Sequence, residues 1–183
     1  MKEKHPATAE ELIAGSKAED RRSQQALYQL YAPTLYAVAL RYMGTQADAQ
    51  DVLQESFIKI FRAIHGFRGD GSFEGWIRRI VVNTAIEHIR KKHVITSAIE
   101  TQQEEALESE TASALDQLGE QELLQMIAAL PPGYRSVFNL FAIEGYAHKE
   151  IAELLQISEG TSKSQLARAR LMLQEKIKLQ SKS

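Results

Sequence analysis

The amino-acid sequence predicts an all-α protein built from two small helical domains. Apolar residues recur at helical spacing through most of the chain, no alternating run reaches strand length, and glycine and proline stand at the edges of the periodic segments. With 183 residues, the chain is long enough for two small cores. We predict a first domain over residues 1–93, a flexible acidic linker over 94–119 and a second domain over 120–183.

The first domain is predicted to begin with three helices. Apolar periodicity places two of them at about 8–16 and 20–43, and whether Pro33 breaks the second is left open. Gly44 is typical of a helix end, and Thr45 is suited to cap the third helix. The buried face of that helix is predicted to consist of Leu53, Phe57, Ile60, Phe61 and Ile64.

A glycine-rich loop over 65–72 separates the third helix from a basic one. Ser72 is the expected N-cap of this fourth helix, which runs from Phe73 to about Lys92. Its basic and polar positions, which alternate with apolar ones, are Arg78, Arg79, Asn83, Arg90 and Lys91.

Residues 94–119 differ in composition from both flanking segments. They contain no basic and no aromatic residue and are rich in Glu, Gln, Ser, Thr and Ala. Such a segment buries little apolar surface, which predicts a flexible linker. Periodicity resumes at Leu118, and the pair Pro131-Pro132 is expected to end one helix and start the next.

Residues 145–170 predict a helix-turn-helix, in which the second helix lies in the DNA major groove. Three apolar residues recur at helical spacing in the first half: Ile151, Leu154 and Leu155. Ser158 is suited to cap a helix that opens at Glu159. The core-facing positions of that helix are Leu166, Ala169 and Leu173. The opposite face, predicted to read DNA, carries Lys163, Ser164, Ala167 and Arg168. A helical hairpin with solvated charges is the alternative.

The net charge of −2 conceals a segregation of charge along the chain. Residues 1–93 carry 14 Lys+Arg against 11 Asp+Glu, residues 94–119 carry none against 6, and residues 120–183 carry 8 against 7. Two basic helices on either side of an acidic connector predict two separate contacts with a polyanion.

Composition and motifs exclude several classes of protein. The absence of cysteine rules out disulfides, thiolate zinc sites and cysteine nucleophiles. The five histidines show no metal-ligand spacing, and the glycine-rich loop lacks the lysine of a phosphate loop. No apolar run reaches the length of a membrane span, and no signal-peptide pattern is present. We therefore expect a cytoplasmic protein that is not an enzyme, requires no cofactor or metal, and does not insert into a membrane.

Phe67 and Asn83 are the main candidate nucleic-acid contacts of the first domain. Phe67 lies beside Arg68 in the glycine-rich loop, where an aromatic ring can stack on an unpaired base. Asn83 can bond a base edge through both its donor and its acceptor. The alternative for Phe67 is a plug over the core, and Trp76 is expected to belong to the core rather than to a stacking platform.

An acidic face is predicted on the third helix. It consists of Asp48, Asp51, Gln54 and Glu55. DNA would repel this face, so it is either a solvated surface or a site for a basic protein partner.

Several stretches together resemble the bacterial sigma factors of the extracytoplasmic-function (ECF) group, in the sigma-70 family. D-A-Q-D-V-L-Q-E-S-F-I-K-I-F-R-A-I is similar to the segment that grips the polymerase clamp helices. F-R-G-D-G-S-F-E-G-W-I-R-R-I-V-V-N-T-A-I-E-H-I-R is similar to the promoter-melting and −10-reading segment. L-P-P-G-Y-R-S-V-F-N-L and G-T-S-K-S-Q-L-A-R-A-R are similar to the −35-reading half. The resemblance covers nearly the whole chain in the correct order.

The resemblance implies a role for each candidate site. The first domain corresponds to sigma region 2 and the second to sigma region 4. The implied contacts to core RNA polymerase (the β′ clamp helices) are Asp48, Asp51, Gln54 and Glu55, and the β flap is the second expected polymerase contact. The implied −10 contacts are Phe67, Arg68, Arg78, Arg79, Asn83, Arg90 and Lys91. The implied −35 contacts are Lys163, Ser164, Ala167 and Arg168. Members of the group are often held by an anti-sigma factor, and whether this chain has one is left open.

Four positions of the second domain depart from the family pattern. Gln156 stands where the turn usually has glycine, and a left-handed Gln costs roughly 1 kcal/mol. Ser162 replaces an apolar residue, Gln165 an arginine, and Ala147 a capping serine. We therefore predict a weaker −35 module than is typical of the family, one that relies on the first domain for avidity.

The sequence thus predicts a transcription initiation factor that binds core polymerase, reads −35 and −10 promoter elements and assists melting. An autonomous helix-turn-helix regulator is the alternative, and a helical adaptor that binds no nucleic acid is a third. Charge reversal on the acidic face separates the first two, because an autonomous regulator has no polymerase contact to lose.

Overall fold

The computed structural model describes residues 8–96 and 120–180, and every regular element in these two ranges is helical. The N-terminal helices are α1 (Ala9–Lys17), α2 (Arg21–Met43), α3 (Gln46–Ala63) and α4 (Phe73–Thr96), with a 3-10 turn at Ile64–Gly66. The C-terminal helices are α5 (Glu120–Ala128), α6 (Pro132–Phe138), α7 (His148–Leu155) and α8 (Glu159–Gln180), and a π-helical turn, Asn139–Ile143, continues α6. The predicted all-α fold class is confirmed.

Local chemistry fixes the helix ends where the sequence predicted them. Gly44 ends α2 in the left-handed conformation, with φ of 74°. Thr45 caps α3, because its side chain accepts a hydrogen bond from the Asp48 backbone N–H. Ser72 caps α4 in the same way through the N–H of Gly75, at 3.0 Å. These caps define where α2 ends and where α3 and α4 begin.

The proline in α2 does not break that helix, which runs continuously through Pro33. Pro33 cannot donate to the carbonyl of Gln29, but both residues are exposed, so that carbonyl stays open to water. The stabilisation from burying the apolar stripe of α2 outweighs the unfavourable helix propensity of proline. Its members are Leu27, Tyr31, Leu35, Val38, Ala39, Tyr42 and Met43.

The core of the N-terminal helices lies between α2, α3 and α4. Four of the five residues predicted for the buried face of α3 are buried, while Phe61 is half-buried. The helix α4 extends to Thr96, so the first residues of the predicted linker are helical, and residues 97–119 lie outside the described ranges.

The C-terminal helices pack around α8, whose predicted core-facing residues are all buried. The turn between α7 and α8 passes through Gln156, which is left-handed with φ of 58° and ψ of 44°. This confirms the strained position expected from the missing glycine. Ser158 caps α8 as predicted, accepting from the Thr161 N–H at 2.9 Å.

Candidate nucleic-acid and polymerase interfaces

Three aromatic rings meet where the glycine-rich loop joins α4. The Phe67 ring centroid lies 5.1 Å from that of Phe73 and 5.4 Å from that of Trp76, and Phe73 and Trp76 are 5.6 Å apart. Phe73 is buried, whereas Phe67 and Trp76 are half-buried. Phe67 is therefore anchored on the core and partly exposed, an arrangement compatible with either of its two alternative roles.

A side chain from α1 holds the loop in place. Lys17 Nζ donates to the Phe67 carbonyl at 2.7 Å and lies 5.8 Å from the centroid of the Phe67 ring. The ammonium thus contacts both the backbone and the ring face of one residue. At the loop tip, Gly69 and Gly71 adopt positive φ, and the Gly71 N–H donates to the Gly69 carbonyl at 2.9 Å.

The loop and the first turn of α4 form a cavity of about 430 Å³ that is open to solvent on one side. It is lined by Gly66, Phe67, Arg68, Asp70, Gly71, Ser72, Gly75, Trp76 and Arg79. This volume is in the range of pockets that hold small ligands. Two aromatic faces and two guanidinium groups line this concave site, and the guanidinium of Arg68 lies 3.4 Å from the Asp70 carboxylate, so Arg79 is the cation without a carboxylate partner in the lining.

One stripe of α4 continues from this cavity. Arg79, Asn83 and Arg90 follow Trp76 at intervals of three, four and seven residues, which keeps them on one helix face over about 21 Å. Arg79 and Asn83 are exposed, and Arg90 is half-buried. A nucleic-acid strand leaving the cavity could follow this stripe.

Arg78 points away from the cavity and towards the C-terminal helices, although it is adjacent to Arg79 in sequence. Its guanidinium makes a bidentate contact with Glu144, from Nε to Oε2 at 3.0 Å and from Nη2 to Oε1 at 2.8 Å. The hydrogen bond to Glu144 raises the pKa of Arg78 despite its partial burial. Lys91 is exposed, also away from the cavity lining.

The acidic face of α3 is partly neutralised within the chain. Glu55 accepts from His88 Nε2 at 2.6 Å and pairs with Lys59 at 2.9 Å. The hydrogen bond with His88, and then that with Lys59, lower the pKa of Glu55 to about 2. Asp51 and Gln54 are exposed, and Asp48 is half-buried and accepts from the Thr45 hydroxyl at 2.8 Å.

The polar substitution at Ser162 is accommodated inside the helix-turn-helix. Ser162 is fully buried, and its hydroxyl lies 2.9 Å from His148 Nδ1. The His148 ring stacks on Phe141 with 4.6 Å between centroids. Burial, followed by the nearby Lys163, lowers the pKa of His148, which favours the neutral ring at pH 7. The hydroxyl expected to weaken this core therefore has a partner in α7.

The recognition helix differs from the expectation at Ser164. This residue is 8% exposed, and its hydroxyl donates to the Thr161 carbonyl at 3.0 Å, so it does not lie on the outer face. Lys163 is exposed and pairs with Glu159 one turn earlier at 2.8 Å. Ala167 and Arg168 are half-buried. The prediction that Ser164 faces outward was wrong, because a short hydroxyl side chain can turn back to its own helix backbone.

Sequence reasoning missed four residues that shape these surfaces. Trp76 was assigned to the core but also lines the cavity, and Lys17 was not considered. Arg135 and Glu144 join the N-terminal helices to the C-terminal ones. A charged residue inside the apolar run Y-R-S-V-F was the available signal for Arg135, whereas nothing local distinguishes Glu144.

Comparison with known proteins identifies the family. Residues 27–94 match the family model described as Sigma-70 region 2, and residues 120–173 match Sigma-70, region 4. The chain is 31% identical over 172 residues to the RNA polymerase sigma-H factor of Pseudomonas aeruginosa, which covers 88% of this chain and 89% of that protein. It is 29% identical over 181 residues to the ECF RNA polymerase sigma-E factor of Escherichia coli K12, covering 93% and 94%.

A solved structure is similar as well. The sigma factor RpoE from Bartonella quintana, in complex with the anti-sigma factor NepR, is 22% identical and covers 84% of this chain and 96% of that chain, with a TM-score of 0.49.

Two helical regions of these types, in this order, define a sigma factor. The chain belongs to the sigma-70 family, in its ECF group. It is a transcription initiation factor that binds core RNA polymerase and directs it to specific promoters, and the autonomous regulator is not favoured. Proteins of this family are in general initiation factors rather than enzymes. Within residues 8–96 and 120–180, no helix has the length and apolar character needed to cross a bilayer.

Proposed function

We propose that the chain works as two DNA-reading modules, residues 1–93 for the −10 element and 120–183 for the −35 element, and that it acts in the cytoplasm without catalysing a reaction. The proposed −10 residues are Phe67, Arg68, Arg78, Arg79, Asn83, Arg90 and Lys91. The proposed −35 residues are Lys163, Ser164, Ala167 and Arg168, of which Ser164 would have to turn outward on binding.

The observation that carries this proposal is the aromatic cavity. A base that enters it meets the Phe67 and Trp76 rings, while Arg79, and Arg68 once it exchanges Asp70 for a phosphate, supply positive charge. Asn83, one turn beyond Arg79, supplies an amide donor and an acceptor for a base edge. Because a base must leave the duplex to reach such a site, capture in the cavity would favour the melted promoter.

We propose that α3 supplies the contact to the β′ clamp helices through Asp48, Asp51, Gln54 and Glu55, and that the second module contacts the β flap. Asp51 is the exposed carboxylate of this face, whereas Glu55 is shared with His88 and Lys59. Charge reversal at Asp51 should therefore weaken polymerase binding more directly than a change at Glu55. An anti-sigma factor is a further partner class that membership of the ECF group makes reasonable.

The experiment that tests the function is transcription from fragmented genomic DNA by cognate core polymerase, with and without the chain. New discrete start sites that need the chain are expected, with two shared upstream elements. Asp51→Lys should abolish them, while Glu10→Lys, the same charge change at an exposed position of α1, should not. Absence of new transcripts, from core that a control sigma factor activates, would refute the proposal.

A further inference from the structure

The first residue of α7 makes a polar contact with the beginning of α8. His148 Nδ1 lies 2.9 Å from the hydroxyl oxygen of Ser162, a residue with no exposed surface. The His148 ring is half-buried and stacks on Phe141 with an angle of 21° between the two ring planes. A buried hydroxyl of α8 is therefore joined to a ring that its own packing holds in place.

This contact lies at the opposite end of α7 from the turn. The turn passes through Gln156, which follows the last residue of α7, whereas His148 is the first of the eight residues of that helix. Two helices joined at a turn can pivot about it, and apolar packing between them has no preferred direction. A hydrogen bond is directional, so a contact far from the turn limits this pivoting. Because Ser162 directly precedes Lys163, the contact acts on the part of α8 that carries the first proposed −35 residue.

His148 can accept the hydroxyl proton only as a neutral ring. A neutral imidazole with its proton on Nε2 accepts at Nδ1, whereas an imidazolium carries N–H groups at both nitrogens and accepts at neither. Because Ser162 has no exposed surface, water does not replace a lost acceptor. The positive end of the α7 dipole also disfavours a cation at the first residue of that helix.

The charged groups around the ring act in the same sense on balance. Those of α8 are two cations and one carboxylate: Lys163, Arg170 and Glu159. On α7, the exposed Lys149 and Glu150 carry opposite charges, and the stacking partner Phe141 carries none. The helix α4 also packs on α7, and none of its described side chains acts electrostatically on the ring. Burial, followed by Lys163, lowers the pKa of His148 below 6.5, so the neutral ring predominates at pH 7.

We propose that His148 is a positioning residue of the −35 module, and that as a neutral acceptor it holds Ser162, and through Ser162 the first turns of α8, in the orientation that −35 DNA requires. The inference rests on the proposed role of α8 in −35 binding. It makes −35 affinity depend on pH, because protonation of the ring removes the acceptor. Since the pKa of His148 is lowered, the contribution is complete above pH 6.5 and is lost as the pH falls through the lower pKa of the folded chain.

Binding of a −35 duplex by the full chain in complex with core polymerase tests the proposal. The labelled duplex carries the −35 element found by mapping the start sites and ends upstream of the −10 element. A duplex with a scrambled −35 element measures non-specific binding.

His148→Phe keeps a ring against Phe141 but has no nitrogen for Ser162. At pH 7.5 this variant should bind the −35 duplex about fivefold more weakly, the equivalent of one hydrogen bond. Ser162→Ala should show a similar loss. Ser136→Ala is the matched control, because it removes a buried hydroxyl that donates within its own helix, and it should bind as wild type does. Wild-type affinity in both His148→Phe and Ser162→Ala would overturn the proposal.

The double variant distinguishes this contact from a general loss of packing. His148→Phe and Ser162→Ala together should bind no more weakly than either alone, because each removes the same hydrogen bond. An additive loss of about 25-fold would show that the two side chains act independently, and would overturn the proposal.

The pH profile gives a readout that a merely structural role would not change. His148→Asn places an amide near the position of Nδ1 and does not titrate, so it should bind as wild type does at pH 7.5. Below pH 6.5, wild type should weaken relative to this variant. Parallel profiles would overturn the proposal. So would wild-type affinity that rises on acidification relative to the variant, since His148 would then bind phosphate as a cation.

Failure of this inference and failure of the proposed function give different results. Wild type that binds the −35 duplex no better than the scrambled duplex would refute the −35 role of α8 itself. Specific binding by wild type that all the His148 and Ser162 variants retain would refute the positioning role and leave the proposed function standing.

Discussion

The glycine-rich loop over 65–72 and the helix α8 hold their candidate DNA contacts in opposite ways. In the loop, Phe67 is fixed by two neighbouring rings and by Lys17, and its free side opens on a shaped cavity. On α8, Ser164 is turned inward and Lys163 is paired with Glu159. The loop is therefore organised in the absence of DNA, whereas the proposed contacts of α8 would have to exchange intramolecular partners for DNA.

This difference suggests a division of labour between the modules. A preorganised site spends less of its binding energy on ordering side chains, so it binds more tightly, and a shaped pocket that a wrong base does not fit also discriminates between bases. Lysine and arginine side chains on a helix contribute phosphate contacts, which depend little on sequence. We infer that the −10 side carries most of the promoter specificity, and that the −35 side adds affinity through avidity.

Removing the ring of Phe67 is expected to have the largest effect on the specificity that we assign to the −10 side. Phe67→Ala should reduce heparin-resistant open complexes on a duplex promoter by about tenfold or more, since stacking is worth about 1–3 kcal/mol per base. Phe67→Leu, which keeps apolar packing against Phe73, should show most of the same loss while retaining wild-type stability. Open complexes at wild-type levels in both variants would place the specificity elsewhere.

Releasing the loop without touching its aromatic residues tests the preorganisation itself. Lys17→Met removes the hydrogen bond to the Phe67 carbonyl, and we expect about a fivefold loss of open complexes, equivalent to roughly 1 kcal/mol. Lys17→Arg, which can still donate, should recover much of the activity. Arg22→Met, a matched loss of an exposed cation on α2, should have no effect. An equal loss of open complexes in Lys17→Met and Arg22→Met would mean that the loss follows from the removed positive charge and not from release of the loop.

The turn of the helix-turn-helix offers a gain of stability. Gln156→Gly should raise the free energy of unfolding by about 1 kcal/mol, because glycine adopts the left-handed conformation without a Cβ penalty. Gly145→Ala, at φ of 77°, should change it in the opposite direction. Urea denaturation of the full chain measures both. If low stability of the helix-turn-helix limits its affinity for the −35 element, Gln156→Gly should also tighten binding to −35 DNA. Unchanged binding would mean that weak contacts between α8 and DNA limit this affinity instead.

The smallest expected effect concerns the acidic face. The pKa of Glu55 is lowered from 4.5 to about 2, so its ion pairs stabilise the fold above pH 4.5, and this contribution is lost as the pH falls towards 2. Glu55→Gln should therefore lower the free energy of unfolding, measured by urea denaturation, by a few tenths of a kcal/mol at pH 7 for such a half-exposed group, and by less at pH 3. Asp51→Asn, which removes the same charge from the same face, is the control. A difference in unfolding free energy between wild type and Glu55→Gln that grows as the pH is lowered would contradict this prediction.

Features decided within a few residues of sequence were predictable. Gly44, Thr45, Ser72 and Ser158 end or cap their helices as expected, because each role depends on one side chain and the adjacent backbone. The left-handed Gln156 was predictable for the same reason. Helical periodicity likewise identified the buried faces, since burial follows the 3.6-residue repeat.

Features that depend on distant residues were not predictable. Pro33 does not break α2, because the packing of the whole buried stripe decides the outcome rather than the residue itself. Trp76 is both core and cavity wall, which periodicity alone cannot distinguish. The junction of Arg135 and Glu144 joins residues more than sixty positions apart, and one sequence without tertiary contacts gives no reason to pair them.

The position of Trp76 has a practical consequence. It is the single tryptophan of the chain, and it lies in the wall of the cavity proposed to receive the base. Its intrinsic fluorescence is therefore a probe of that cavity, and it can be excited selectively at wavelengths longer than those that the six tyrosines absorb. Stacking of a base would quench this emission, so the binding of a single-stranded −10 oligonucleotide by the unmodified chain could be followed in real time without attaching any dye.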